Sequence, residues 1–322
     1  MAAENLLDVR GLSIGPLHAP PLVKDLSFSL EKGQSLGMLG ASGSGKSLTL
    51  MALMRLLPHP GLCRQKGDIL FAGRDLALLS ELEMQALRGR SMAAVFQDPL
   101  ASLNPVRSLG SQLREVFTFH EQGMSPQEIS LRLRETLQAV GLQDHEALLQ
   151  QYPHQISGGM RQRVAIAMAI LLDPELVLAD EPSSSLDVAL QAQVLKLLQK
   201  LQSERGLSLL FVSHDLAVIA DLCRQCLVLY EGRIVEKAPT IQLIEQPLHP
   251  YTQALIAALP LHGRPPRRTL KAKIETEAGQ VRGCSFQYQC RYADAVCRTE
   301  EPILRQLQSE HWIACHRAEE IG

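Results

Sequence analysis

Between an apolar stretch at residues 35–39 and a helical run read over residues 47–57, the chain carries Gly40-Ala41-Ser42-Gly43-Ser44-Gly45-Lys46-Ser47, which fits the pattern G-x-x-x-x-G-K-[ST]. No other segment constrains the fold as strongly. Glycines let a backbone curl closely round a phosphate chain with successive N–H groups turned inward, and the helix that follows adds its positive end. The pattern therefore predicts strand, loop and helix in that order. It also places Lys46 on the β- and γ-phosphates of a nucleotide and the Ser47 hydroxyl on Mg2+. At ordinary residue frequencies the pattern arises by chance in roughly 1% of chains of this length, and the flanking strand and helix lower that further.

Further apolar runs near residues 92–96, 176–179 and 209–212 each end at a polar cluster and alternate with helical stretches, which is the pattern of a largely parallel sheet covered by helices. From about residue 104 to 172 the pattern turns mainly helical. Within it, Ser125-Pro126-Gln127-Glu128 supplies a cap serine, a first-turn proline and a reaching glutamate, after which Ile129, Leu133, Leu137 and Val140 share one helix face before Gly141. Two extended runs around Glu231-Gly232 predict a hairpin. Beyond Leu259 a stretch rich in proline and basic residues reads as a linker into a cysteine-containing tail.

Composition narrows the class. The 322 residues, 46% hydrophobic, can bury a sizeable core, and the length suggests one large domain with an addition or two medium ones. A formal net charge of −2 gives no global basic field, so composition offers no case for nucleic-acid binding. The N-terminus has acidic residues where a secretory signal needs a basic start. The longest wholly apolar run, residues 164–172, is about half of what a bilayer-spanning helix needs, so a membrane role has to come through a partner. Export is not expected from such a start, and seven cysteines in a chain expected to be cytosolic point to free thiols or metal ligation rather than disulfides.

Other elements extend the phosphate-loop reading. Leu176-Val177-Leu178-Ala179-Asp180-Glu181 is an apolar strand delivering two carboxylates, with Asp180 placed to hold Mg2+ and Glu181 to orient and deprotonate an attacking water. Ser157-Gly158-Gly159 opens a long helix and forms a second anion-binding helix start on the same chain. In sequence order, Gln97 in "VFQDP", "ISGGM", "LADEP", "SLD" at Ser185 to Asp187 and His214 in "VSHD" resemble the motif set of the ATP-binding cassette (ABC) ATPases, over about residues 5 to 260. The resemblance implies an α/β P-loop NTPase fold: a RecA-like core with an antiparallel β subdomain and an inserted helical subdomain at about residues 98–172. It also implies that two such domains pair head to tail, the Ser157 loop of one covering the γ-phosphate held by Lys46 of the other. Gln97 then couples the nucleotide to a transmembrane partner, Asp187 spans the dimer interface and His214 contacts the γ-phosphate.

The tail narrows the subgroup. "HPYTQALIAALP" at residues 249–260, followed by "GCSFQYQCRYADAVCRTEEP" and "ACH", resembles the C-terminal region of the peptide/nickel importer ATPases. Cys284, Cys290, Cys297 and Cys315 are separated by five, six and seventeen residues, so the two-residue interval of many zinc sites is missing, and four thiolates suit an iron–sulfur cluster as well. The resemblance implies a [4Fe–4S] centre; four unligated thiols are the plain alternative. Cys223 and Cys226 form a C-x-x-C ahead of a strand rather than at a helix start, which favours buried structural thiols. Against the family pattern, Met160 stands where glutamine is usual, Leu48 where threonine is usual, and no aromatic residue precedes Phe28 to stack on adenine, a place His18 is positioned to fill.

The expectation is thus an ABC nucleotide-binding domain at residues 1–260 and a linker with a four-cysteine extension at 261–322. As the ATP- and Mg2+-dependent subunit of an importer for peptides, nickel or metal chelates, it would lie peripherally on the cytoplasmic face of the inner membrane. Its partners would be a second ATPase, two transmembrane permeases and, indirectly, a solute-binding protein, with no nucleic acid. The rival readings are a soluble ABC-type ATPase acting on DNA or ribosomes and a metal-sensing module led by the tail. The first usually carries a long coiled-coil insertion or two cassettes, and neither occurs in the sequence.

Overall fold

A computed structural model describes residues 5–58, 61–98, 102–121, 123–143, 145–183, 187–258 and 282–321. Residues 259–281, on which the linker expected beyond Leu259 falls, and Ser185 of the "SLD" motif, lie outside the described residues. The chain forms two compact units, each assembled from separate segments.

The first unit comprises Met1–Asp8, Ser29–Ser35 and Leu70–Val212. Its sheet holds β6 (Met92–Val95), β7 (Leu176–Asp180) and β8 (Ser208–Ser213), running β8-β7-β6 and all parallel, with Ala94 opposite Leu178 and Leu178 opposite Leu210. Every residue of β7 and β8 is buried, as expected of strands covered on both faces, whose sequences read as continuous apolar runs. The short strand β5 (Arg74–Asp75) pairs antiparallel with Leu70 and Phe71. The helical insertion contains α3 (Leu109–His120), α4 (Pro126–Ala139), α5 (His145–Gln150) and α6 (Gly158–Ile170), after α2 (Glu81–Leu87) and ahead of α7 (Val188–Arg205). In α4 the expected capping box forms: Ser125 Oγ accepts the Glu128 N–H at 3.3 Å, and Glu128 Oε2 accepts the Ser125 N–H at 2.7 Å. Leu133, Leu137 and Val140 are buried, and Gly141 follows in the left-handed region.

The second unit comprises Val9–Phe28, Leu36–Ile69 and Ser213–Gly322. One sheet runs β2-β1-β4, from β1 (Asn5–Gly15), β2 (Val23–Glu31) and β4 (Cys63–Phe71). The other runs β11-β12-β10-β9-β3, from β3 (Ser35–Leu39), β9 (Gln225–Tyr230), β10 (Arg233–Pro239), β11 (Arg305–Gln308) and β12 (His311–Ile313). β3 and β9 are parallel, whereas β9, β10 and β12 are successively antiparallel. Glu231 and Gly232 both have positive φ, 46° and 81°, the type I′ geometry that matches strand twist in a two-residue hairpin. At Gly232 an added Cβ would lie 1.9 Å from the Leu22 carbonyl oxygen, so only glycine fits.

Two expectations are corrected. The helix expected over residues 47–57 is α1 (Lys46–Leu53) and stops at the Met54 cap. Arg55 takes φ 52°, Leu56 N–H bonds to Met51 O and Arg55 N–H to Ala52 O, a Schellman closure with arginine in the place usually held by glycine. The C-x-x-C does not lie wholly ahead of a strand: Cys223 caps α8 (Leu216–Leu222) and Cys226 sits inside β9, both buried. The tail holds more structure than a cysteine-bearing extension suggests. After α9 (Thr240–Glu245) and α10 (Pro250–Ala257), it holds α11 (Ala295–Thr299) and α12 (Ala318–Ile321) and adds β11 and β12 to the edge of the β9–β10 hairpin. Leu248, Ile313, Cys315 and Ala318 form its apolar centre.

Candidate functional site

In the second unit, β3 delivers Gly40 and the loop curls into α1. A Cβ on Gly40 would lie 2.4 Å from the Leu229 carbonyl oxygen and 2.7 Å from Ser44 Oγ, so the strand end and the loop pack too closely for any other residue. Lys46, only 5% exposed, sits inside the curl, where its ammonium donates to Gly40 O at 2.7 Å and Ala41 O at 3.0 Å. Ser44 Oγ is buried with no hydrogen-bond partner among the described residues, and such a hydroxyl beside a buried ammonium suits an anionic ligand with several acceptor oxygens. The loop is held from outside at two points. Gly232 N–H donates to Ser44 O at 3.0 Å, and Ala41 N–H donates to the Tyr251 hydroxyl at 2.9 Å. His214, in the same unit, is exposed at the end of β8, where Ser213 Oγ accepts the Asp215 N–H and Asp215 caps α8.

In the first unit, β7 ends in Asp180, buried, and Glu181, partly exposed. Glu181 takes φ 46°, a left-handed conformation that costs a non-glycine residue on the order of 1–3 kcal/mol. Its N–H is tied to Val212 O at 3.0 Å, and Gln97 Nε2 donates to its carboxylate at 3.4 Å. The structure thus joins two of the residues singled out in sequence. Ser157 caps α6, its hydroxyl accepting the Met160 N–H at 3.3 Å, and Gly158 stands exposed beside it. Arg161, which the sequence reading passed over, donates to Pro153 O and Ile156 O and fastens the turn leading into Ser157. Asp187 is the cap of α7, accepting the Leu190 N–H at 2.9 Å.

The tail's four cysteines lie in the second unit. Burial pushes the Cys284 and Cys315 thiols up to about 11 and raises those of Cys290 and Cys297; the charge of neighbouring members of the four adds to the rise at Cys284, Cys297 and Cys315, and that of Asp294 at Cys290. Each sulfur also meets a backbone N–H, from Phe286, Tyr292, Asp294 and Arg317 among others, which pulls the opposite way. Such donors are the usual surroundings of thiolate ligands. Among the described residues, no group of three or more His, Cys, Asp or Glu side chains is arranged to hold a metal ion. None of the seven cysteines is in a disulfide, and burial raises the Cys223 and Cys226 thiols, which disfavours their reactive thiolate forms. Among the described residues no helix is long and apolar enough to cross a membrane.

The geometry agrees with the comparisons. Residues 23–184, half of the chain, match the ABC transporter family, and residues 235–297 match the oligopeptide/dipeptide transporter C-terminal region. A probable peptide ABC transporter ATP-binding protein of Sinorhizobium fredii is 40% identical over 99% of this chain and 97% of its own. The dipeptide transport ATP-binding protein DppD of Escherichia coli is 40% identical over 97% of this chain and 96% of its own. Among solved structures, a dimeric bacterial ABC transporter cassette superposes with a TM-score of 0.66 at 25% identity, covering 73% of this chain and 98% of that one. A dimeric post-hydrolysis cassette bound to ADP and phosphate gives 0.65 at the same identity, with the same coverage. The loop of Gly40–Ser47, the strand ending in Asp180 and Glu181, and the tail after β10 therefore assign the chain to the ABC transporter family of ATP-binding proteins, in the group that carries the oligopeptide/dipeptide C-terminal region.

Proposed function

We propose that this chain is the ATP-hydrolysing subunit of an importer for di- or oligopeptides, working as one of a pair of cassettes on the cytoplasmic face of two permease subunits. The observation that carries the reading is the union, on one chain, of an ABC cassette and the oligopeptide/dipeptide C-terminal region. Relatives named for dipeptide transport match nearly end to end.

In this reading the N–H groups of Gly43 to Ser47 and the Lys46 ammonium bind the β- and γ-phosphates, and the orphaned Ser44 hydroxyl gains phosphate oxygens as partners. Ser47 and Asp180 would hold Mg2+, whose charge offsets that developing on the transferred phosphoryl group. Glu181 accepts a proton from the attacking water, and the Gln97 amide restrains its carboxylate in one orientation. His214 meets the γ-phosphate. Ser157, Gly158 and Gly159 act on the nucleotide held by the partner cassette, across an interface that includes Asp187, so hydrolysis is tied to closure of the pair. The four tail cysteines would ligate an iron–sulfur cluster, a group that favours sulfurs with N–H donors. In the test, the chain is co-expressed with its permeases and partner cassette and reconstituted in vesicles. ATP-driven peptide uptake is the expected result; phosphate release without uptake of any peptide overturns the cargo, and absence of phosphate release overturns the whole reading.

A further inference from the structure

The two outside anchors of the phosphate loop both belong to elements that the tail contacts. Tyr251, 1% exposed at the start of α10, spans 210 residues of sequence to accept the Ala41 N–H. Gly232, which holds Ser44 O, follows Tyr230 by two residues in the hairpin turn. Tyr230 and Tyr251 pack together, ring centroids 4.5 Å apart. Against both lies one side chain of the tail, Phe286, 3% exposed and placed between Cys284 and Cys290. Its ring meets Tyr230 edge-on at 5.3 Å and Tyr251 at 5.5 Å, the T-shaped arrangement that aromatic quadrupoles favour.

A second route reaches the same tyrosine. Glu236, fully buried in β10, accepts the Leu248 N–H at 2.8 Å and the His249 N–H at 3.1 Å, and bonds His311 Nε2 of β12 at 2.7 Å. His249 Nδ1 in turn accepts the Tyr251 N–H at 3.1 Å. The start of α10 is thus fixed by a carboxylate that the tail's own strand completes. The Tyr251 ring is locked by Phe286, while its hydroxyl faces the loop.

We propose that Tyr251 is a positioning residue for the phosphate loop, and that the cysteine tail sets nucleotide affinity through the Phe286 ring that holds Tyr251 in place. The inference rests on the ATPase reading above. Because Tyr251 touches the loop at Ala41, ahead of Lys46 and remote from Glu181 in sequence, its loss weakens binding rather than the chemical step.

The test uses the full assembled transporter and measures ATPase KM and kcat for wild type, Tyr251→Phe, Phe286→Leu and the double variant. Tyr251→Phe deletes one oxygen and keeps the ring. It should raise KM for ATP about 3–10-fold, the scale of one lost hydrogen bond, with kcat within about twofold of wild type. Phe286→Leu, which keeps apolar volume but loses the ring edge, should move KM in the same direction. The double variant should be no worse than Tyr251→Phe alone, since both act on one contact. An unchanged KM in Tyr251→Phe overturns the inference, as does a purely additive double variant. If Phe286→Leu fails to assemble, Tyr251→Phe alone still decides the point. A wild-type complex that neither binds nor hydrolyses ATP defeats the ATPase reading and this inference with it, whereas active wild type with an indifferent Tyr251→Phe defeats only the latter.

Discussion

The Gln97 side-chain amide and the Glu181 carboxylate are hydrogen-bonded at 3.4 Å, although 84 residues of sequence separate them. Glu181 is further fixed by its left-handed backbone and by the bond from its N–H to Val212 O. A residue held on three sides in a strained conformation suits a group whose direction matters more than its packing. Glu181→Gln should retain ATP binding while losing about 10²–10⁴-fold in turnover, the range that general-base assistance supplies. Phosphate release by the assembled complex measures it, and a rate near wild type removes Glu181 from the role.

Ser44 provides a test in which binding and stability move apart. Its hydroxyl is buried without a partner among the described residues, a condition that costs roughly 1–3 kcal/mol in the ligand-free chain. Ser44→Ala should therefore leave the melting temperature equal or raised while ATP affinity falls. A parallel loss of both, followed by calorimetry and thermal unfolding, would mean that the hydroxyl is structural.

Gly232 allows no side chain. With φ at 81° and the Leu22 carbonyl oxygen 1.9 Å from an added Cβ, Gly232→Ala adds backbone displacement to a left-handed penalty of about 1–2 kcal/mol. The displaced turn also loses its bond to Ser44 O, so denaturant midpoint and nucleotide affinity should fall together.

Acid should destabilise the fold through His249. Burial lowers its folded-state value to about 4 from an ordinary 6.5, against the smaller opposing pull of Glu236 and a bond with the Ala314 backbone. Between those values the unfolded chain binds the extra proton and the folded chain does not. Stability is therefore full above about pH 6.5 and declines as pH falls toward 4, by on the order of 3 kcal/mol if this group acts alone. Urea midpoints across that range should slope accordingly. A His249→Gln variant should show a flatter slope even if its absolute stability is lower.

For the tail cysteines, protein purified without oxygen should contain iron and labile sulfide in equal amounts, with broad visible absorption that bleaches on reduction. Cys297→Ala should lose that absorption. Iron-free wild-type protein from such a preparation would leave the four as ordinary thiols.

Much of the cassette was legible in the sequence because its signals are local. A glycine-rich loop between strand and helix, β7 with two carboxylates at its end, and the Ser125–Glu128 cap each occupy a few consecutive residues, and the structure forms them there. The end of α1 was not legible, because Arg55 adopts a conformation that its side chain does not advertise. Nor was the tail's architecture. His311 meets Glu236 across 75 residues and Tyr251 meets Ala41 across 210, and such pairings depend on register, which no short pattern encodes. Ser157 stands out by its motif, but the bonds from Arg161 that fasten the turn ahead of it emerge only from the carbonyls that the guanidinium reaches.

The pairing of β12 with β10 bears on where the chain tolerates being cut. β11, the outermost strand, is polar and exposed, and its Arg305 is clasped by Glu319, features that discourage a foreign strand from docking. A chain ending after α10 would lose that guard, baring the β10 edge and leaving the Glu236 carboxylate without its histidine. Trimming the protein to its nucleotide-binding portion would then yield a species inclined to self-associate, and its behaviour would say little about the intact subunit.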